Sequence, residues 1–245
     1  MAAPPEQSPA TTTDATSHDV DVLALIPTHT ERLLTTARGL DDPASASLCE
    51  GWSRGHVLSH VARNADGLGS LIGGVVDRTG ATMYVSRVAR DADIDAGAGR
   101  PVDALAADVE DTAATLAGQL PRLRPEHDDR PLERTPGDVR GRAAEIPLMR
   151  LREVVFHHVD LDAGFGFDDV EPTLVHLFLD EEVARVRGAD DAPDVTLRTT
   201  EGDEWTIGLG TASVSGSRAA LLGWLSRGLT TGVCGDPLPR LPKGR

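Results

Sequence analysis

Apolar residues recur three and four positions apart from Val20 to Leu40, in VDVLALIPTHTERLLTTARGL, which predicts an amphipathic helix. Pro27 lies inside it and marks either a kink or the true start. An Asp-Asp-Pro turn leads to a second long helix beginning near Ser53, whose hydroxyl suits the N-cap. On that helix His56, His60 and Asn64 share one face, beside an apolar stripe of Val57, Val61, Leu68 and Leu71. The stretch TGATMYVSRVARDADIDAGAGR breaks the period and reads as a loop, carrying the only tyrosine, Tyr84, with Arg87 and Arg90 close behind. Periodicity resumes in PVDALAADVEDTAATLAGQL, with Pro101 in its first turn. After a connection rich in proline and charge it returns in AAEIPLMRLREVVFHHVDLDAGFG, which Gly164 stops. Four helices with a long crossover predict an antiparallel bundle.

Past Gly166 the pattern changes. VEPTLVHLFLDEEVARVRG is helical, DVTLRTTEG, EWTIGLG and ASVSGS alternate as a short meander would, and RAALLGWLSRG closes with a helix. The first eighteen residues hold almost no bulky apolar group to offset the entropy of ordering, so residues 1–18 are expected to form a flexible tail. The terminal RLPKGR is expected to fray. The predicted organisation is a tail over 1–18, a four-helix bundle over 19–167 and a small α+β domain over 168–245.

A formal net charge of -15 without a Lys/Arg run excludes nucleic acid as the main partner. No apolar stretch is long enough to span a bilayer and no leader pattern precedes the first helix, so a soluble cytoplasmic protein with no membrane partner is expected. An anionic substrate would be repelled by the overall field unless arginines focused in a cleft reversed it locally. Cys49 and Cys234 are too few for a disulfide framework or a thiolate zinc site and read as small, partly buried thiols. Thiol chemistry would therefore need a borrowed thiol.

The densest candidate chemistry is His60 on the second helix with Glu153-x-x-x-His157 on the fourth. Residues four apart share a helix face about 5–6 Å from each other, close enough to hold one ion. Two imidazoles and a carboxylate suit zinc with a fourth position left to water or substrate, although the same spacing also serves a surface ion pair. Asp160, one turn beyond His157, is either a carboxylate that orients a ligand imidazole or a surface acid.

The segments EGWSRGHVLSHVARNADGL, MYVSRVARDADI, MRLREVVFHHVDL and VSGSRAALLGWLSRG together resemble the mycothiol-dependent maleylpyruvate isomerase family over nearly the whole chain. The resemblance implies a DinB-like metal-binding four-helix bundle followed by the family's small α+β domain. It implies zinc, or another divalent metal, on His60, Glu153 and His157, with mycothiol as the thiol cofactor. His56 and His158 are not expected as ligands. Arg90 and Arg227 fall where the family carries arginines for a small anionic substrate, although Ser226 stands where a glycine is usual before Arg227. If Arg227 reaches the cleft, the site lies between the two domains. The implied reaction is the cis-trans isomerisation of maleylpyruvate to fumarylpyruvate in gentisate degradation. A thiolate adds to the conjugated alkene, rotation follows, and the thiolate leaves. Transfer of mycothiol to another electrophile, or a non-catalytic metal- or ligand-binding module, would use the same ligand residues.

Overall fold

The computed structural model describes residues 20–242. The tail expected over 1–18 and the last three residues of the RLPKGR end lie outside the described residues.

Helices α1 (Val22–Arg38), α2 (Arg54–Asp77), α4 (Val102–Gln119) and α5 (Ile146–Asp160) form a four-helix bundle in which α1 and α2 each pack against both α4 and α5. Sequence neighbours α1 and α2 thus sit across the bundle rather than side by side. Asp21 caps α1 through Ala24 N–H, so Pro27 lies inside the helix, past its start. Ser53 caps α2, and His56 Nδ1 returns the bond by accepting Ser53 N–H at 3.2 Å. Helix α5 ends at Asp160, ahead of Gly164, which adopts a φ of 92° in the following loop.

Two elements depart from the expected loops. Helix α3 (Arg87–Ala98) runs through the stretch read as irregular, started by Ser86, whose hydroxyl accepts Ala89 N–H at 3.0 Å. It lies hard against α2: a Cβ on Gly97 would come within 2.2 Å of Ser59 Oγ, and one on Gly55 within 2.1 Å of the Ala98 carbonyl oxygen. The connection before α5 contains a hairpin, β1 (Pro131–Thr135) with β2 (Asp138–Arg142), turned at Pro136-Gly137 with a Gly137 φ of 81°. Glu133 and Arg134 of β1 accept the backbone N–H groups of Met83 and Tyr84, both at 2.9 Å.

After a single turn at Phe167–Asp169 come α6 (Pro172–Arg187), β3 (Val195–Thr199), β4 (Glu204–Ile207), β5 (Ala212–Gly216) and α7 (Arg218–Arg227). The sheet order is β4-β3-β5, with β5 parallel to β3, so the expected meander is corrected. The short link after β4 crosses the start of β3, bending at Gly208 and Gly210 with φ of 58° and 65°. There Asp194 accepts Leu209 N–H on its carboxylate and Ala212 N–H on its carbonyl. Alternation marks strands but not their partners, so this order was not readable.

One apolar core joins the two regions. Leu151, Val155, Phe156 and Val159 of α5 and Ile26 of α1 pack with Phe178, Val183, Leu197, Val214, Leu221 and Trp224. No helix among the described residues is long and apolar enough to cross a membrane.

Candidate metal centre

Helix α2 presents His60, 4 % exposed, and α5 presents Glu153 and His157 one turn apart. His60 Nε2 lies 2.9 Å and His157 Nε2 3.3 Å from the same Glu153 carboxylate oxygen, and the two imidazoles meet edge to face at 4.5 Å between centroids. One donor atom from each residue falls within 4.8 Å of the others, a spacing that one ion can bridge. The other nitrogen of His157, Nδ1, is 2.8 Å from Asp160, which is wholly buried. Asp160 in turn receives Arg227 side-on, Nε at 2.5 Å and Nη2 at 2.8 Å. A carboxylate behind a histidine fixes the tautomer and turns the opposite nitrogen forward.

Burial pushes the His60 imidazole down to about 4, and the neighbouring His157 adds to the effect. Burial alone would raise the Glu153 carboxyl, but hydrogen bonds from His157 and His60 overcome it and hold the group well below the usual carboxylate range. Burial likewise opposes charge on His157, yet the bonds to Asp160, Cys49 and Glu153 carry that imidazole well above its ordinary value. A proton on His157 thus balances the flanking Glu153 and Asp160 carboxylates, and a cation bound by the cluster would have to displace it.

A second possible donor set, Cys49, His157 and Asp160, also converges, with Cys49 Sγ donating to Asp160 Oδ2 at 3.2 Å. Both Asp160 oxygens already face the Arg227 guanidinium, which would repel a cation there. The electrostatics therefore favour His60, Glu153 and His157. His56 serves the α2 cap, and His158 turns to the other side of α5, stacked on Phe165 at 3.6 Å and bonded to Thr36 at 2.7 Å.

A cavity of about 390 Å³ opens over the cluster. Arg90 enters it from α3, held between the rings of Tyr84 and Trp52 at 5.7 and 5.9 Å. Its Nη2 is 3.3 Å from His60 Nδ1, Nη1 donates to Asp91 at 2.7 Å, and Nε is buried without a partner. Arg227 reaches the same cavity from the C-terminal end of α7, its guanidinium 5.2 Å from the Phe156 ring centroid. Two further arginines line it that the sequence did not single out. Arg134 comes from the unexpected strand β1, and Arg152, beside Glu153 on α5, donates to Glu181 at 2.7 Å and also to Glu182. The adjacency of Arg152 to Glu153 was a visible signal; Arg134 had none without the hairpin.

Residues 26–162 match the family model described as the mycothiol maleylpyruvate isomerase N-terminal domain. The chain belongs to that family. Two solved structures, a mycothiol-dependent maleylpyruvate isomerase and a histidine-to-alanine variant of it, are each 26% identical to this chain. Each alignment covers 92% of this chain and 98% of the other, with a TM-score of 0.83. No curated protein sequence gives a significant match. The shared fold thus extends past the N-terminal family match into the region that supplies Arg227.

Proposed function

We propose that the chain is a cytoplasmic, zinc- and mycothiol-dependent isomerase that converts maleylpyruvate to fumarylpyruvate. The observation that carries this reading is the convergence of two imidazoles and one carboxylate beneath an arginine-lined cavity, in a member of this family. His60, Glu153 and His157 would hold the ion. In this reading residues 19–167 form the metal-binding unit and 168–245 the unit that adds Arg227. A divalent cation here would lower the pKa of a bound thiol and so supply the thiolate that adds reversibly to a conjugated cis alkene.

The remaining work belongs to the chain's own residues. The ligand set carries one formal negative charge, so the centre keeps the positive excess that favours a thiolate. Asp160 aims His157, and Arg227 holds Asp160 in place through Nε and Nη2 on one edge of its guanidinium, which makes Arg227 a positioning residue as well as a source of positive potential. Arg90, which lines the cavity beside His60 with its guanidinium in cation–π contact with Tyr84 and Trp52, is the group best arranged to take a substrate carboxylate. Together the cleft arginines reverse, locally, the repulsion that a net charge of -15 exerts on a dianion.

A proton NMR time course of maleylpyruvate with the zinc-loaded protein, with and without mycothiol, tests this. Fumarylpyruvate should accumulate only when both are present. A lasting thioether would assign the chain to transfer rather than isomerisation, and an unchanged spectrum would overturn both.

A further inference from the structure

The four arginines that line the cavity over the ligand cluster differ in what already holds them. Arg90 Nη1 donates to Asp91 at 2.7 Å, Arg152 donates to Glu181 and Glu182, and Arg227 grips Asp160. The guanidinium of Arg134 donates to no acceptor and forms no ion pair among the described residues. Of the two carboxylates in the cavity lining, Glu153 is bonded to His60, and Glu50 pairs with no arginine among the described residues. Asp138, at the start of the facing strand, is engaged by Arg140 at 2.7 Å and by Arg87 at 3.7 Å. Arg134 is also exposed, so its donors are open to a ligand. Strand β1 sets it where this cavity meets an adjoining chamber of about 190 Å³, and His60 and Glu153 line both. The Arg134 carbonyl accepts Tyr84 N–H at 2.9 Å, and the Tyr84 ring lies 5.7 Å from the Arg90 guanidinium. Tyr84 thus spaces two arginines, an inner one beside His60 with 17% of its side chain exposed and an outer one on the hairpin.

Maleylpyruvate has one carboxylate bonded directly to its cis alkene and a second at the far end of its keto chain. The alkene has to meet a thiolate held at the metal, so the first carboxylate lies deep, within reach of Arg90, and the second extends outward. A guanidinium whose donors are all free can take a carboxylate through two parallel bonds. We propose that Arg134 binds the far carboxylate and is the residue that makes the site select cis-alkene diacids over monoacids of the same skeleton. This assignment rests on the isomerase reading of the site. It also gives the hairpin a task, since no other element brings an arginine without an acidic partner to this cavity.

Calorimetric titration into the zinc-loaded full chain, with no thiol present so that nothing turns over, tests the assignment. The ligands are maleylpyruvate and its analogue with a methyl group in place of the far carboxylate. The unaltered protein should bind the diacid about tenfold or more tightly than the analogue. Arg134→Gln should abolish that preference by weakening the diacid alone by the same factor. Because the Arg134 side chain bonds to nothing, the melting curve of this variant should not move. Arg134→Lys, which keeps the charge but loses the fork, should restore part of the preference. Arg142→Gln removes the same charge from the facing strand, outside both cavities, and should leave both affinities unchanged. Undiminished diacid binding in Arg134→Gln, or equal weakening of both ligands, overturns the proposal. So does the absence of saturable diacid binding to the unaltered protein. Diacid binding that depends on Arg134, in a protein that forms no fumarylpyruvate when mycothiol is added, would end the isomerase reading and leave this assignment standing.

Discussion

The bundle and the C-terminal sheet region differ in what they bury. Among the described residues the bundle encloses His60, Asn64, Arg150, His158 and Asp160, while the region after Gly166 encloses Glu182, Thr196 and Thr199 and is otherwise packed with aliphatic and aromatic side chains. Enclosing ionisable groups costs free energy unless each is bonded, and in the bundle each has a partner: His60 on Glu153, Arg150 on Asn64, His158 on Thr36 and Asp160 on Arg227. The comparison separates chemistry from scaffold. One region carries the groups that can hold an ion, and the other contributes rigidity and one long side chain, Arg227, delivered from the end of α7.

Substitutions can break this contrast. The largest effect is expected from Glu153→Gln, which removes the carboxylate shared by both imidazoles. Metal retention after desalting, read by atomic absorption, should be lost and turnover should fall to that of mycothiol alone, with the melting curve still cooperative. Full metal content would remove Glu153 from the ligand set. In the scaffold, Leu197→Ala should cost about 2–5 kcal/mol of stability by opening a cavity in a fully buried position, measured by urea unfolding. Its metal content should stay unchanged where the chain is still folded. If Leu197→Ala instead emptied the metal centre without loss of stability, the two regions would not be separable.

Smaller changes sharpen the contrast. Arg90→Ala should lower turnover about 10–100-fold, the worth of a charge-assisted hydrogen bond, and leave bound metal in place. Loss of metal or full activity would remove Arg90 from substrate binding. Because His157 holds its proton above the ordinary imidazole range, loading an ion near neutrality must expel that proton. Apparent metal affinity, measured by chelator competition, should then fall about tenfold for each unit the pH is lowered around 7. The smallest effect concerns the scaffold. Arg218 holds the Asp203 carboxyl down to about 2, a stabilisation present above the unfolded value near 3.8 and lost as pH falls through that interval. Arg218→Met should therefore be less stable than the parent at pH 7, with the gap between their urea midpoints narrowing towards pH 3.

Much of this was legible in the residues. Apolar periodicity marked α1, α2, α4, α5, α6 and α7, because each buries a continuous stripe. Helix α3 escaped because only Ile94, Gly97 and Ala98 of its residues are buried, scattered among Asp91, Asp93 and Asp95. The β1–β2 hairpin escaped because LERTPGDVRGR has only two bulky apolar residues, of which Leu132 alone is enclosed. At the centre, the spacing of Glu153 and His157 and the polar notch at His60 named the three residues that the fold brings together. Cys49 read as an ordinary small thiol because its neighbours, His157 and Asp160, lie more than a hundred positions away. A separation of 67 positions likewise hid the Arg227 to Asp160 pairing.

Helix α5 meets a different requirement on each side of its barrel. Arg150, Glu153, His157 and Asp160 follow one another at intervals of three and four, while Leu151, Val155, Phe156 and Val159 face the core shared with the C-terminal region. Each residue turns the helix by ~100°. A single insertion or deletion between Arg150 and Asp160 would swing one of these rows out of place whichever way the helix settled. Positions on α5 outside these two rows can therefore vary one at a time, whereas the count of residues cannot, so the length of that segment should be invariant among relatives that keep the His60, Glu153 and His157 cluster.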